Sequence, residues 1–287
     1  MELRTLEYFL IVAREGNITR AAKMIHISQP TLSRQLIQLE DELQTKLFVR
    51  SNHSISLTDD GLLLKRRASE IISLVRKTKN ELSNNSDLIG EISIGTGEFN
   101  SVDTFSKILN NFKEKYPLVT YNIISSNTDD ICESIENGLL DFGIILDTID
   151  ISKYESLTIP YEEVWGIYVY KDSKLASLKE IKPQDLINYK LYTGGNNVIF
   201  QNWKSWFGKY FQDISVIGHF NLTYNTTRFI YNTNDVILGI KLDVKYKDIC
   251  FIPIKNSFKI QPIIVWKEEK INSIKNKTFI NYLKEEF

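Results

Sequence analysis

The sequence predicts an α+β multi-domain protein: an N-terminal helical module with a β-hairpin, one long helix, and a C-terminal α/β region in two lobes. Three observations carry this. Residues 17–39, NITRAAKMIHISQPTLSRQLIQL, have the grammar of two short helices meeting at a tight corner. Over residues 58–84, Leu64, Ala68, Ile71, Val75, Thr78 and Leu82 recur at alternating steps of four and three, a heptad seam on one long helix. Beyond a polar break at 83–87, short apolar runs alternate with amphipathic helical segments, an order that implies a parallel sheet.

Residues 2–15 read as an amphipathic helix with Leu3, Leu6, Phe9, Leu10 and Ala13 inward, stopped by Gly16. Asn17 suits the next N-cap, because its side-chain oxygen accepts from a free first-turn amide. Ile18, Ala21, Ala22 and Ile25 give that helix a narrow apolar stripe, and the two alanines let a second helix cross closely. His26, Ile27 and Ser28 break the pattern. Ser28 caps a helix running to about Gln44, with Pro30 in the first turn, where a missing N–H costs nothing. Leu32, Leu36, Leu39 and Leu43 form its buried stripe. Its other face offers Gln29, Thr31, Ser33, Arg34, Gln35 and Gln38, short polar side chains of the kind a major-groove reading helix needs. Residues 47–57 are a β-hairpin candidate: LFVR, a polar tip at 51–54, then ISL. Thr58 caps the long helix, and Asp59 and Asp60 favour its dipole.

At 287 residues, with 43% apolar and 25% charged, the chain has room for two or three domains and a sizeable core. It has no apolar run of about 18 residues, so no membrane span is expected. The N-terminus carries Glu2 and Glu7 within its apolar pattern and does not read as a signal peptide. Two distant cysteines, Cys132 and Cys250, argue for a cytoplasmic protein without a disulfide framework. The net charge of −1 gives no hint of nucleic acid. Residues 1–60 hold seven Lys/Arg and eight Asp/Glu, and residues 61–87 six against three, so the first 87 carry only +2. Nucleic-acid binding would need those positives on one face, and a dimer to double the contacts.

The paired alanines, SQPTLSRQL, LEDEL, LFVR, LT and Gly61 together resemble the N-terminal domain of LysR-type transcriptional regulators, without a gap from about Leu3 to Gly61. The resemblance implies a winged helix-turn-helix DNA-binding domain at 1–58, with the helix-turn-helix at about 18–37. A linker and dimerisation helix at 59–87 and an effector-binding domain at 88–287 follow. The hairpin corresponds to the wing, although its tip lacks Arg or Lys, which leaves Arg50 as the clear phosphate candidate. Gln29, Pro30, Thr31, Ser33, Arg34 and Gln38 would meet double-stranded DNA. Leu64, Ala68, Ile71, Val75 and Leu82 would pair protomers as a homodimer, or a dimer of dimers (homotetramer), on an interrupted dyad operator. RNA polymerase is a candidate further partner.

In the C-terminal region, strands are expected at 91–95, 119–125, 141–146, 164–170, 189–193, 216–222, 249–254 and 260–266. Helices are expected at 104–116, 129–137, 198–211, 226–231 and 274–286, with Pro262 at an edge or early in its strand. GLLDFGI matches a phrase of the same family, whereas NTNDVILGIKLD departs from its usual Gly-rich segment. The layout resembles the family's two-lobed effector domain, similar to periplasmic solute-binding proteins. Lobe I takes about 91–160 and 267–287, lobe II about 161–266, with crossings near Pro160 and Trp266. In such sheets ligands gather beyond the carboxyl ends of strands. Residues 96–101, 126–128 and 192–196 fall there, and Thr96, Phe99, Asn100, Ser101, Thr128 and Thr193 are the effector candidates. Asn100, Ser101 and Thr128 match effector-contacting positions in the family. Tyr224, Thr226 and Arg228 lie beyond them.

Catalysis has little support. His26, His53 and His219 share no metal-ligand spacing, and no Gly-x-Ser-x-Gly, P-loop or Gly-x-Gly-x-x-Gly occurs. No enzyme activity, metal or cofactor is therefore expected. The reading is a sequence-specific DNA-binding transcriptional regulator modulated by a small-molecule effector. Its rivals are a redox-sensing regulator of the same family, using Cys132 and Cys250, and a solute-binding protein.

Overall fold

The computed structural model describes the chain apart from residues 51–54, 83–87, 148, 196 and 272, and the side chains at 50, 76, 77, 80–82 and 270. The expected hairpin tip and hinge, and the side chains of Arg50 and Leu82, thus lie outside the described residues. The chain divides into two compact units, Met1–Asn84 and Asn85–Phe287.

The first unit runs α1 (Leu3–Glu15), α2 (Ile18–Met24), α3 (Gln29–Leu43), β1 (Phe48–Arg50), β2 (Ile55–Leu57) and α4 (Asp59–Leu82). Its boundaries follow local chemistry. Gly16 ends α1 in the left-handed region at φ 60°, where a side chain would be strained. The Asn17 side chain accepts from the Arg20 amide at 3.0 Å, and the Ser28 hydroxyl from the Thr31 amide at 3.3 Å. Leu6, Phe9, Val12, Ala21, Ala22, Leu32, Leu36, Leu39 and Leu47 are buried together, and the Phe9 and Phe48 rings meet at 5.2 Å. Each buried leucine contributes roughly 2 kcal/mol of apolar burial. β1 and β2 pair antiparallel, with Phe48 opposite Leu57.

The heptad reading of α4 needs correction at Ala68. This residue has no accessible surface and lies, with Ile72, in the core that α1, α2 and α3 share. Leu64 and Ile71 also pack against that core. A residue enclosed by its own protomer cannot meet a partner. Among the described residues, the large apolar side chains that α4 turns outward are Leu62, Leu63 and Leu74. Periodicity identifies a buried stripe but not the neighbour that covers it.

The second unit contains two five-stranded sheets of matching plan. In chain order it runs β3 (Gly90–Thr96), α5 (Val102–Lys115), β4 (Val119–Ser125), α6 (Thr128–Glu136), β5 (Phe142–Leu146) and β6 (Glu155–Thr158). Then come β7 (Trp165–Tyr170), β8 (Lys190–Gly194), α7 (Asn197–Phe207), β9 (Ser215–Phe220), α8 (Thr223–Thr226), β10 (Val236–Ile240), β11 (Ile249–Pro253), β12 (Pro262–Trp266) and α9 (Ile274–Glu286). The first sheet has the order β4-β3-β5-β12-β6 and the second β11-β7-β10-β8-β9. In each, three neighbouring strands are parallel and one strand, β12 or β7, runs antiparallel to both of its neighbours.

Ile92, Ile94, Ile144 and Ile264 pack under α5 and α9, while Ile145, Ile263 and Val265 point to the other face with Ile131 and Ile135 of α6. The second sheet buries Ile167, Leu191 and Leu238 against Ile199, Trp203 and Phe207 of α7.

Four expectations change here. β12 pairs with β5 and β6, so it belongs to the first lobe, and the second crossing falls between β11 and β12 rather than near Trp266. Pro262 is the first residue of that strand, where its missing N–H is tolerated. α7 stops at Phe207 because Gly208 turns left-handed at φ 55°, and a 3₁₀ turn continues to Asp213. The helical segment expected at 226–231 lies earlier, at Thr223–Thr226. Finally, VILGI within the unassigned NTNDVILGIKLD stretch is β10, buried at all five positions in the middle of its sheet. A short continuous apolar run is what a strand covered on both faces requires.

Candidate nucleic-acid interface and ligand cleft

The corner between α2 and α3 is closed by Ala21 and Ala22, both buried, and by His26 at φ 56°. On the outward side of α3, Gln29, Pro30, Thr31, Arg34 and Gln38 are exposed, and Ser33 is half-buried. The Thr31 and Ser28 hydroxyls lie 2.7 Å apart, so Thr31 is oriented by the cap. Gln35 turns inward instead, accepting from the Thr5 hydroxyl at 3.4 Å. Arg34 makes no hydrogen bond or ion pair among the described residues, which leaves all five of its donors available.

Sequence reasoning passed over Ile37, which is 39% exposed between Arg34 and Gln38. Its i+3 spacing from Arg34 was the available signal, since an apolar group there could meet a thymine methyl. Glu40 was also overlooked. It is a buried carboxylate at the far end of the same helix.

In the second unit, the loop after β3 reaches from one lobe to the other. The Asn100 side-chain amide donates to the Lys241 carbonyl at 3.0 Å, and its oxygen accepts from the Asp243 amide at 3.0 Å. The Glu98 carboxylate accepts from the Thr223 amide. Phe99 packs against the cores of both lobes. Ser101 has no accessible surface, and its amide donates to Glu163 Oε1 at 2.9 Å. The Asn100 amide points to Glu163 Oε2 at 3.4 Å. The two backbone amides just before α5 are thus met by a carboxylate of this chain. Burial pushes the Glu163 carboxyl above its ordinary range, against the pull of the Ser101 and Asn100 amides.

Of the remaining effector candidates, Thr96 is buried and donates to the Gly97 carbonyl. Thr128 is half-buried at the start of α6. Thr193 is buried near the end of β8, and its hydroxyl has no hydrogen-bond partner among the described residues. Nearby, Tyr168 donates to the Ile240 carbonyl at 2.7 Å and accepts from the Leu242 amide at 2.8 Å. Burial raises the Tyr246 phenol to about 12. Tyr224 and Arg228 are exposed, the guanidinium lying over the Tyr224 ring.

The two cysteines are free and pack against different cores, Cys132 from α6 and Cys250 from β11 of the second sheet. Burial and the neighbouring Asp129 and Glu136 raise the Cys132 thiol, against a hydrogen bond with Tyr154. Among the described residues, no group of three or more His, Cys, Asp or Glu could hold a metal ion, and no helix is long and apolar enough to cross a membrane.

The family described as "Bacterial regulatory helix-turn-helix protein, lysR family" matches residues 3–62, and "LysR substrate binding domain" matches residues 85–287. The chain belongs to the LysR family. This LysR-family chain is 34% identical over 146 residues to the HTH-type transcriptional regulator BsdA of Bacillus subtilis, covering 50% of each protein. It is 30% identical over 191 residues to a probable RuBisCO transcriptional regulator of Cyanophora paradoxa, covering 66% of the chain and 59% of that relative. The chain thus spans between half and about three-fifths of the length of these curated relatives. Among solved structures, the LysR family transcriptional regulator CbnR matches with a TM-score of 0.72 at 20% identity, over 100% of this chain and 99% of that one. Full-length CbnR complexed with its target DNA matches with a TM-score of 0.69 at 21% identity, over 100% of both. These likenesses concern the fold.

Proposed function

We propose that this LysR-family chain is a sequence-specific DNA-binding transcriptional regulator whose activity a small ligand adjusts through the second unit. The observation that carries this is the capped α2–α3 corner, which presents Gln29, Thr31, Arg34 and Gln38 outward on a helix that buries Leu32, Leu36 and Leu39 on its opposite side. Thr31, Ser33 and Arg34 read base edges, with help from Gln29, Pro30 and Gln38, and Arg50 holds a phosphate.

The chain works as a homodimer, or a dimer of dimers, on an interrupted dyad in double-stranded DNA. Pairing is assigned to α4, using Leu64, Ile71, Val75 and Leu82 together with the outward Leu62, Leu63 and Leu74. Two copies offset the weak positive charge of one. RNA polymerase is the further partner through which the bound dimer acts, in the cytoplasm. No catalytic role is assigned to any residue.

The ligand sits between the lobes, near Thr96, Phe99, Asn100, Ser101, Thr128 and Thr193. It works by changing how the lobes close across the Asn100 contacts, and hence the spacing of dimers on DNA. The experiment is selection of binding sites from a random DNA pool, followed by footprinting. Enrichment of a dyad, protected once per half-site, is the expected outcome. No enrichment over the starting pool would remove the DNA-reading role. A thermal-shift screen against metabolites then identifies the ligand, which should raise the melting temperature.

A further inference from the structure

Glu40 lies on α3, six residues beyond Arg34, and only 3% of its surface is accessible. A buried carboxylate is expensive unless its oxygens are met. Here one oxygen, Oε1, accepts from two consecutive backbone amides, Leu47 at 2.9 Å and Phe48 at 3.2 Å. The other, Oε2, faces the Lys46 ammonium at 3.3 Å. Phe48 is the first residue of β1, so the side chain of the reading helix holds the backbone at the point where the hairpin begins.

The opposite side of the same segment is held by the start of α4. The Thr58 hydroxyl donates to the Lys46 carbonyl at 2.6 Å, and the Thr58 amide to the Leu47 carbonyl at 3.0 Å. The Thr45 hydroxyl donates to Asp60. Gly61 approaches so closely that a Cβ there would lie 2.1 Å from the Leu47 carbonyl oxygen. Residues 45–48 are therefore clamped between the reading helix and the long helix.

On the DNA-binding reading above, we infer that Glu40 is a positioning residue that fixes the hairpin relative to the reading helix, so that base reading and the hairpin's phosphate contact occur in one register. The carboxylate touches no DNA. It acts through the Leu47 and Phe48 amides.

The test uses the full chain and DNA that the wild-type protein selects from a random pool. Glu40→Ala removes the acceptor. Glu40→Asp keeps the charge but withdraws it by one methylene. Glu40→Gln keeps an Oε1 acceptor for both amides. In Ala and Asp variants, protection flanking each half-site should disappear while the central major-groove protection remains. The slope of log affinity against log salt should become shallower by about one per protomer, the signature of one lost phosphate contact. Glu40→Gln should restore both the flanking protection and the slope. If Glu40→Ala does not fold, the Asp and Gln pair decides the matter. A wild-type slope and footprint in the Asp variant, or a Gln variant as impaired as Asp, would overturn the role of Glu40 alone. Failure of the wild-type chain to protect any selected DNA would overturn the DNA-binding reading, and this inference with it.

Discussion

Replacing Arg34 with alanine should separate specificity from stability. The side chain is exposed and engages no other group among the described residues, so its removal leaves no buried donor or acceptor unmet. A substitution of this kind changes folding stability by at most about 0.5 kcal/mol. On DNA the loss is larger. A guanidinium bonded to both acceptors of a guanine discriminates by roughly 1–3 kcal/mol. A dimer uses two such contacts, giving roughly 2–6 kcal/mol, or about 30-fold to 10⁴-fold in the preference for selected over random DNA. Competition gel shifts at one fixed salt concentration measure that ratio, and thermal melting measures the fold. The expected pair of results is an unchanged melting temperature and a collapsed ratio, with non-specific binding weakened only modestly. An unchanged ratio would refute base reading by Arg34, and a large fall in melting temperature would refute the view that it is structurally idle.

Three further outcomes are expected. Gln44 ends α3 at φ 52°, so Gln44→Gly relieves left-handed strain and, after the entropy cost of glycine, should stabilise by about 0.5–1 kcal/mol; a lower melting temperature would contradict this. Burial raises the Glu163 carboxyl from its ordinary 4.5, so the folded state holds this proton more tightly than the unfolded one, and the group's favourable contribution declines as pH rises through the raised value. Glu163→Gln should therefore match wild type near pH 4 and melt higher at pH 8; the reverse ordering would show that the ionised carboxylate stabilises the lobes. Asn100→Ala removes two hydrogen bonds between the lobes, a net loss of roughly 1–3 kcal/mol. It should also speed hydrogen exchange at the Asp243 amide, and unaltered protection there would dissociate Asn100 from lobe closure.

Some of these features are written within one or two helical turns. Asn17 and Ser28 cap, Gly16 stops, and the leucines of α3 repeat, so the α2–α3 corner and its outward polar row are legible in the sequence itself. Local signals of this range act between residues three or four apart, and propensity and periodicity register them. The same reasoning finds the parallel core of the first lobe, because helices and strands alternate there in order. It passes over β6 at Glu155–Thr158, whose ESLT carries a single apolar residue, and β10 at Val236–Ile240, a short apolar run that does not announce which element it forms.

What only the tertiary structure decided depends on partners far apart in sequence. Ala68 reads as one more heptad position, yet it is buried in the core where α4 packs on α1, so the outward face of α4 is set by which neighbour arrives. β12 is the next strand after β11 but pairs antiparallel with β5 and β6, strands from far earlier in the chain. Asn100 looks like a ligand donor, but its side chain meets Lys241 and Asp243, and the Ser101 amide meets Glu163. The amino-acid sequence by itself determined a capped helix-turn-helix corner and a two-lobed companion. The destination of each polar group was settled by long-range packing, since a buried donor or acceptor takes whichever partner the fold brings within about 3 Å.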